Sequence, residues 1–171
     1  RDTPDGSGNL GRTSLIPWGD NSKYHYALLA WYGFIEYLKQ NHLLNQSKIS
    51  LGNFSSRTII ASGLQEAKRN ALNPQWQGTQ IDEDKIEEIF RGRGNLVYTV
   101  SDGDVGNWGK IKKDFIDNAK NHCYFHLQIG EQTKMSEDLK KADFTVVPIR
   151  NAGDLAQRVI DVTDAIYRRE E

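Results

Sequence analysis

Cysteine is nearly absent from this sequence. Among 171 residues there is one, Cys123. No disulfide can form within the chain, and a zinc cage built mainly from thiolates is excluded. A lone thiol fits a reducing compartment, so a cytoplasmic location is expected. Long apolar runs are missing too. The longest apolar-looking stretch, Tyr24 to Leu38, is broken by His25, Gly33 and Glu36. It falls short of the roughly 20 residues that span a bilayer, and no membrane partner is expected. Nor is there an excess of one charge. Lys plus Arg number 22 and Asp plus Glu 23, a formal net charge of −1, which removes the electrostatic case for a general nucleic-acid binder. Proline is scarce, at four residues, and 37% of the chain is hydrophobic. That is the composition of a folded domain, with too little Pro and Gly for a linker. The length suits a single domain over 1–171 with a sizeable core.

What is present alternates between two periods. Residues 1–20, rich in Gly, Asp, Ser, Thr and Pro, read as a long loop, and long loops are often functional. Tyr24, Ala27, Leu28, Trp31, Ile35 and Leu38 recur at three- and four-residue steps and predict a helix. Residues 48–54 and 57–61 predict a β-hairpin, and 64–72 a short helix. Ile86, Ile89 and Phe90 mark another helix, stopped by Gly92 and Gly94. The apolar run 96–100 reads as a strand buried on both faces. Trp108, Ile111, Phe115, Ile116 and Ala119 predict a helix, and Cys123, Phe125, Leu127 and Ile129 a strand. A helical turn over 136–141, a strand over 144–149 and a last amphipathic helix through Leu155, Val159, Val162 and Ile166 follow. Strands alternating with helices predict a doubly wound α/β fold with a mostly parallel sheet. Such sheets bind ligands at the carboxyl ends of their strands.

Three local features carry possible chemistry. Ser101-Asp102-Gly103-Asp104 directly follows the strand at 96–100, where a carboxylate would face the ligand crevice. It also suits an ordinary capping turn. Gly78-Thr79 precedes a helix, and its hydroxyl can cap that helix or ligate a hard cation. Asp5-Gly6-Ser7-Gly8-Asn9 spaces oxygen donors two residues apart, as a tight cation loop does, and also suits a Gly/Asp turn. The other titratable groups read as structural: His122 and His126 as satisfied or exposed, Cys123 as a small buried hydrophobe. Trp31 belongs to the first helix's core stripe. Trp18, Trp76 and Trp108 each fall near one of the three loops, either as interface residues or as covers for helix ends.

In their order along the chain, these features resemble a von Willebrand factor A domain over nearly the whole length. SerLysIleSerLeuGlyAsnPheSerSer is similar to the family's second-strand pattern ending in Phe-Ser. ValTyrThrValSerAspGlyAsp is similar to its strand ending in Thr-Asp-Gly-Glu, and Gly78-Thr79 falls between the two. The resemblance implies a metal-ion-dependent adhesion site, in which an Asp-x-Ser-x-Ser loop, a distant Thr and a distant Asp hold one divalent cation. Thr79 and Asp102 match that pattern. Asp5, Ser7 and Asn9 occupy the Asp-x-Ser-x-Ser spacing, with Asn9 in place of the final Ser. Asp2 is a second candidate for the first Asp, in a register where Pro4 and Gly6 replace both serines. The apolar first strand expected before this loop is absent from the sequence.

The implied function is a binding module without turnover. One Mg²⁺ or Mn²⁺ would accept a carboxylate from a protein partner. Mg²⁺ takes oxygen ligands and keeps several waters, so a few hydroxyls and carboxylates leave it undercompensated and attractive to an outside carboxylate. Two other readings stay open: a Rossmann-like metal-dependent hydrolase or phosphotransferase using Asp102, and a metal-free interaction scaffold.

Overall fold

A computed structural model of the protein describes residues 23–54, 57–71, 80–101, 104–149 and 152–168. They form two compact units, one from the two ends of the chain and one spanning Ile49–Ile149.

In the first unit, helix α1 (Lys23–Gln40) packs against helix α6 (Ala152–Arg168). Leu28, Trp31 and Leu38 are buried, as their stripe predicts, and Tyr37 is buried beside them. Its hydroxyl donates to Asp164 Oδ1 of α6 at 3.3 Å, which gives the tyrosine a polar partner off the apolar stripe. On α6, Val159 and Thr163 face inward. The Thr163 hydroxyl is satisfied by the Val159 carbonyl one turn back, at 2.6 Å. Helix α1 ends without glycine. His42 takes φ 58°, and Leu43 N–H reaches back to the Leu38 carbonyl at 2.8 Å, the closing bond of a left-handed helix cap.

The second unit begins with the expected hairpin. Strands β1 (Ser50–Phe54) and β2 (Thr58–Ser62) pair antiparallel, with Phe54 opposite Thr58. Helix α2 (Leu64–Ala71) lies on this hairpin through Ala67 and Ala71. Asn70 pins it from the side by donating to the carbonyls of Leu51 and Ile59, one on each strand. A 3-10 turn at Glu83–Lys85 leads into the short helix α3 (Ile86–Ile89). Then comes an unbroken alternation of β3 (Leu96–Ser101), α4 (Trp108–Ala119), β4 (Cys123–Ile129), α5 (Lys134–Lys141) and β5 (Thr145–Ile149). The three strands are parallel, in the order β3-β4-β5.

Consecutive strands added in one direction, joined by right-handed crossovers, place their helices on one face. The core follows that rule. Trp108, Ile111, Phe115 and Ala119 of α4 and Met135 and Leu139 of α5 gather with Ile86, Phe90 and Tyr124. Phe115 sits at its centre, edge-on to Phe90, Trp108 and Tyr124 with ring centroids 5.0–5.6 Å apart, the favoured aromatic geometry.

Two expectations change. The strand buried on both faces is β4, where Tyr124 through Ile129 are all buried, while Leu96–Val100 of β3 are half-buried. The cause is pairing: β4 has a strand on each side, whereas among the described residues β3 pairs with β4 alone. Cys123 is exposed rather than buried, because it opens β4 at the rim, ahead of the six buried positions.

Candidate functional site at the carboxyl edge of the sheet

The residues singled out as metal ligands, Asp2, Asp5, Ser7, Asn9, Thr79 and Asp102, lie outside the described residues, as do Trp18 and Trp76. Their described neighbours are Gln80–Asp82 after Thr79, Ser101 before Asp102, and the loop 104–107 after it.

Those neighbours are bonded to one another. Ile81 N–H donates to Asn107 Oδ1 at 3.1 Å, and Asn107 Nδ2 donates back to the Ile81 carbonyl at 2.7 Å. The carboxamide thus imitates one rung of a β-ladder between the segment after Thr79 and the β3–α4 loop. Asn107 precedes α4, yet its side chain serves this bridge and not the helix end. The next residue is held in the same reciprocal way. Thr58 N–H donates to Asp82 Oδ2 at 2.7 Å, and Asp82 N–H donates to Thr58 Oγ1 at 2.8 Å. On the other flank, Asp104 Oδ1 accepts from Lys134 N–H at 2.8 Å, which places a carboxylate at the positive end of α5.

A buried chain of hydrogen bonds runs along β4 toward this edge. Tyr124, His126 and Gln128 point to the helix-covered face. Thr99 Oγ1 lies 2.5 Å from Tyr124 OH and 2.6 Å from His126 Nδ1. His126 Nε2 lies 3.0 Å from Gln128 Oε1. The Gln128 oxygen also accepts from Thr133 Oγ1 at 3.2 Å. Gln128 Nε2 donates to the carbonyls of Ser101 at 3.2 Å and Ile129 at 3.3 Å. Only one orientation of the carboxamide works, since a flip would set its oxygen against two carbonyl oxygens. The proton order then follows. Tyr124 donates to Thr99, Thr99 to His126 Nδ1, and His126 Nε2–H to Gln128. Burial pushes the His126 imidazole down to about 4, only partly opposed by the Gln128 bond, so the ring is neutral at pH 7.

The chain ends at a helix cap. Thr133 Oγ1 accepts from Ser136 N–H at 3.2 Å, and Ser136 Oγ accepts from Thr133 N–H at 2.8 Å. This is a capping box with Ser in the place usually held by Glu or Gln. Farther along α5, the buried Asp138 accepts from Trp108 Nε1 at 3.0 Å and meets Lys112 and Lys134 at 3.4 Å each. These donors hold its carboxyl below the usual carboxylate range, the indole bond contributing most. Trp108 is 3% exposed and belongs to the core rather than to a binding face. His122 is satisfied by Asn95 N–H and the Phe90 carbonyl. Among the described residues no group of three or more His, Cys, Asp or Glu could hold a metal ion, and no helix is long and apolar enough to cross a membrane.

Asn107, Gln128 and Thr133 did not emerge as candidates from the sequence. A signal existed for Gln128, in the polar series Tyr124, His126, Gln128 alternating with Phe125, Leu127, Ile129. Thr133-x-x-Ser136 is a readable cap spacing as well. Nothing local points to the bridge between Asn107 and Ile81.

No protein-family model matches the chain, and no curated protein matches it. Among solved structures it is similar to a von Willebrand factor type A protein from Catenulispora acidiphila, with 17% sequence identity and a TM-score of 0.61. The match covers 84% of this chain and 38% of that protein's length. The parallel sheet, its alternation with helices and this likeness agree with the expected α/β architecture: the chain has the α/β fold of a von Willebrand factor A domain.

Proposed function

We propose that this protein is a binding module in which one divalent cation, Mg²⁺ or Mn²⁺, accepts a carboxylate offered by a protein partner at the carboxyl edge of the sheet. The observation that carries the proposal is the reciprocal Ile81–Asn107 bridge. It ties the segment that follows Thr79 to the loop that follows Asp102, at the strand ends where sheets of this kind bind ligands. The donor set of Asp5 or Asp2, Ser7, Asn9, Thr79 and Asp102 is all oxygen, which fits a hard cation and not zinc. Turnover is not part of the proposal. A hydrolase would need a free base beside the metal, and the described carboxylate nearest the end of β3, Asp104, is already engaged by the α5 amide. The exposed lone thiol of Cys123 goes with a reducing, cytoplasmic setting.

Calorimetric titration with Mg²⁺ and Mn²⁺ tests this reading, followed by an Asp/Glu-rich peptide with and without metal. One ion should bind the natural protein, and Asp102→Asn should weaken it by about tenfold or more, since a charged ligand is lost. The peptide should bind only when metal is present. Metal affinity unchanged in Asp102→Asn would reject the site. Peptide binding indifferent to metal would favour the metal-free scaffold.

A further inference from the structure

Three consecutive inward positions of the central strand are polar, although the opposite face of the same strand is apolar. Tyr124, His126 and Gln128 alternate with Phe125, Leu127 and Ile129, and all six are buried. A buried polar series is costly unless every member is paired, and apolar side chains of like size would fill the space at less risk. Here every link is made, and the series has a direction. It starts at Tyr124 in the aromatic core and ends at Gln128, whose two donors are both spent on backbone carbonyls at the carboxyl edge. One of those carbonyls belongs to Ser101, the last residue of β3. The Ser101 carbonyl and the N–H of residue 102 share one planar peptide unit. Fixing the oxygen therefore fixes the plane from which the chain leaves the strand.

Gln128 also receives the Thr133 hydroxyl, so the same carboxamide registers β3 against the start of α5. Asp104 is anchored to that start as well, through Lys134 N–H. Both sides of the two-residue step 102–103 are thus tied to one helix end, Ser101 through Gln128 and Thr133, Asp104 directly. We infer that Gln128 is a positioning residue for the edge site: its carboxamide, oriented by His126 and Thr133, sets the Ser101 peptide and with it the approach of Asp102 to the cation. This rests on the proposed metal-dependent binding.

Backbone amide exchange at residues 102–104 and Mg²⁺ affinity, measured on Gln128→Met and Thr99→Val in the full chain, test the inference. Gln128→Met keeps the volume and removes both donors to the carbonyls. Thr99→Val breaks the series at its far end and leaves those donors in place. Exchange at 102–104 should quicken by about tenfold or more in Gln128→Met, with a fall in Mg²⁺ affinity of about fivefold or more. Thr99→Val should lower the melting temperature without either local change. Exchange at 102–104 that stays at its natural rate in folded Gln128→Met overturns the inference, and so does an equal acceleration in Thr99→Val. If Gln128→Met does not fold, Gln128→Asn gives the same comparison. It keeps a carboxamide in the interior but, one methylene shorter, draws the donors back from the Ser101 and Ile129 carbonyls. A natural protein that binds no Mg²⁺ would end the proposed function, and the exchange result alone would then decide whether Gln128 positions the edge.

Discussion

His126 has the partners of a neutral imidazole on both ring nitrogens, and burial keeps its proton off down to about pH 4. An unfolded histidine takes that proton near pH 6.5. Between those values the unfolded chain binds more protons than the folded one, so stability rises with pH across the window. The contribution is fully present above about pH 6.5, is lost as pH falls toward about 4, and changes no further below that. The loss is on the order of 3 kcal/mol. In urea unfolding at pH 7.5 and 4.5, His126→Gln is expected to show a smaller difference between the two than the natural protein. A full-sized difference in the variant would assign the pH dependence to other groups. Asp138 acts in a lower window and with a different cause. Its carboxyl is held down first by the Trp108 indole N–H and then by the flanking lysines, so its contribution is present above about pH 4 and is lost as the folded protein becomes protonated below that. Asp138→Ala leaves a buried indole N–H without an acceptor and is expected to cost about 1–3 kcal/mol at pH 7. Asp138→Asn restores an acceptor and should recover part of that cost. Equal melting temperatures for the two variants would mean that charge, not the hydrogen bond, is what counts there.

Elements in this fold are joined less by their own sequence than by single side chains that act as backbone. Asn107 bridges both polar groups of Ile81, Asp82 and Thr58 exchange bonds, and Asn70 clasps both strands of the hairpin. Asn107→Ala would leave the Ile81 N–H and carbonyl without partners beside a buried side chain. It is expected to destabilise the fold by about 1–3 kcal/mol, with the fastest amide exchange appearing at 80–82 and 104–107. Accelerated exchange spread evenly over the second unit would show that the bridge is not local. Element types and order were legible because they depend on local periodicity: the stripe of α4 through Trp108, Ile111, Phe115 and Ala119 lies buried, and the two strands expected over 48–54 and 57–61 pair as a hairpin with Phe54 opposite Thr58. Burial was less legible because it depends on neighbours. The run 96–100 is apolar enough to be sandwiched, but pairing put β4 in that position. His126 and Gln128 could enter the interior only because they satisfy each other and Thr99, Thr133 and the carbonyls around them. Of the proposed site the sequence offers motif residues alone. The bonds between its described neighbours, 81 with 107 and 104 with 134, run across 26 and 30 residues, and no local pattern encodes them.

At the scale of the whole molecule, the second unit adds strands in sequence on one side of β3, with α4 and α5 on a single face. Loops 104–107 and 130–133 therefore leave the sheet at the same edge, the carboxyl ends of β3 and β4. There the helix start of α5, the Asp104 carboxylate and the Gln128 carboxamide already hold one another. A cation held as proposed would bind the folded chain and not the unfolded one, because the proposed donors at 5–9, 79 and 102 are far apart in sequence. Such a ligand stabilises by mass action, by about 2.7 kcal/mol when its concentration is about 100 times Kd. For a chain of this length each kcal/mol raises the melting temperature by about 2–4 °C. Saturating Mg²⁺ is thus expected to raise it by about 5–10 °C in the natural protein. Thr79→Ala and Asp102→Asn should both lose most of that shift while melting, without metal, close to the natural protein. An acidic peptide should add a further rise only after Mg²⁺ has been added, because in the proposed binding mode its carboxylate is held by the cation. A Mg²⁺ shift of the same size in all three proteins would place the ion elsewhere on the molecule. A peptide effect without metal would mean that the edge recognises its partner through the protein's own groups.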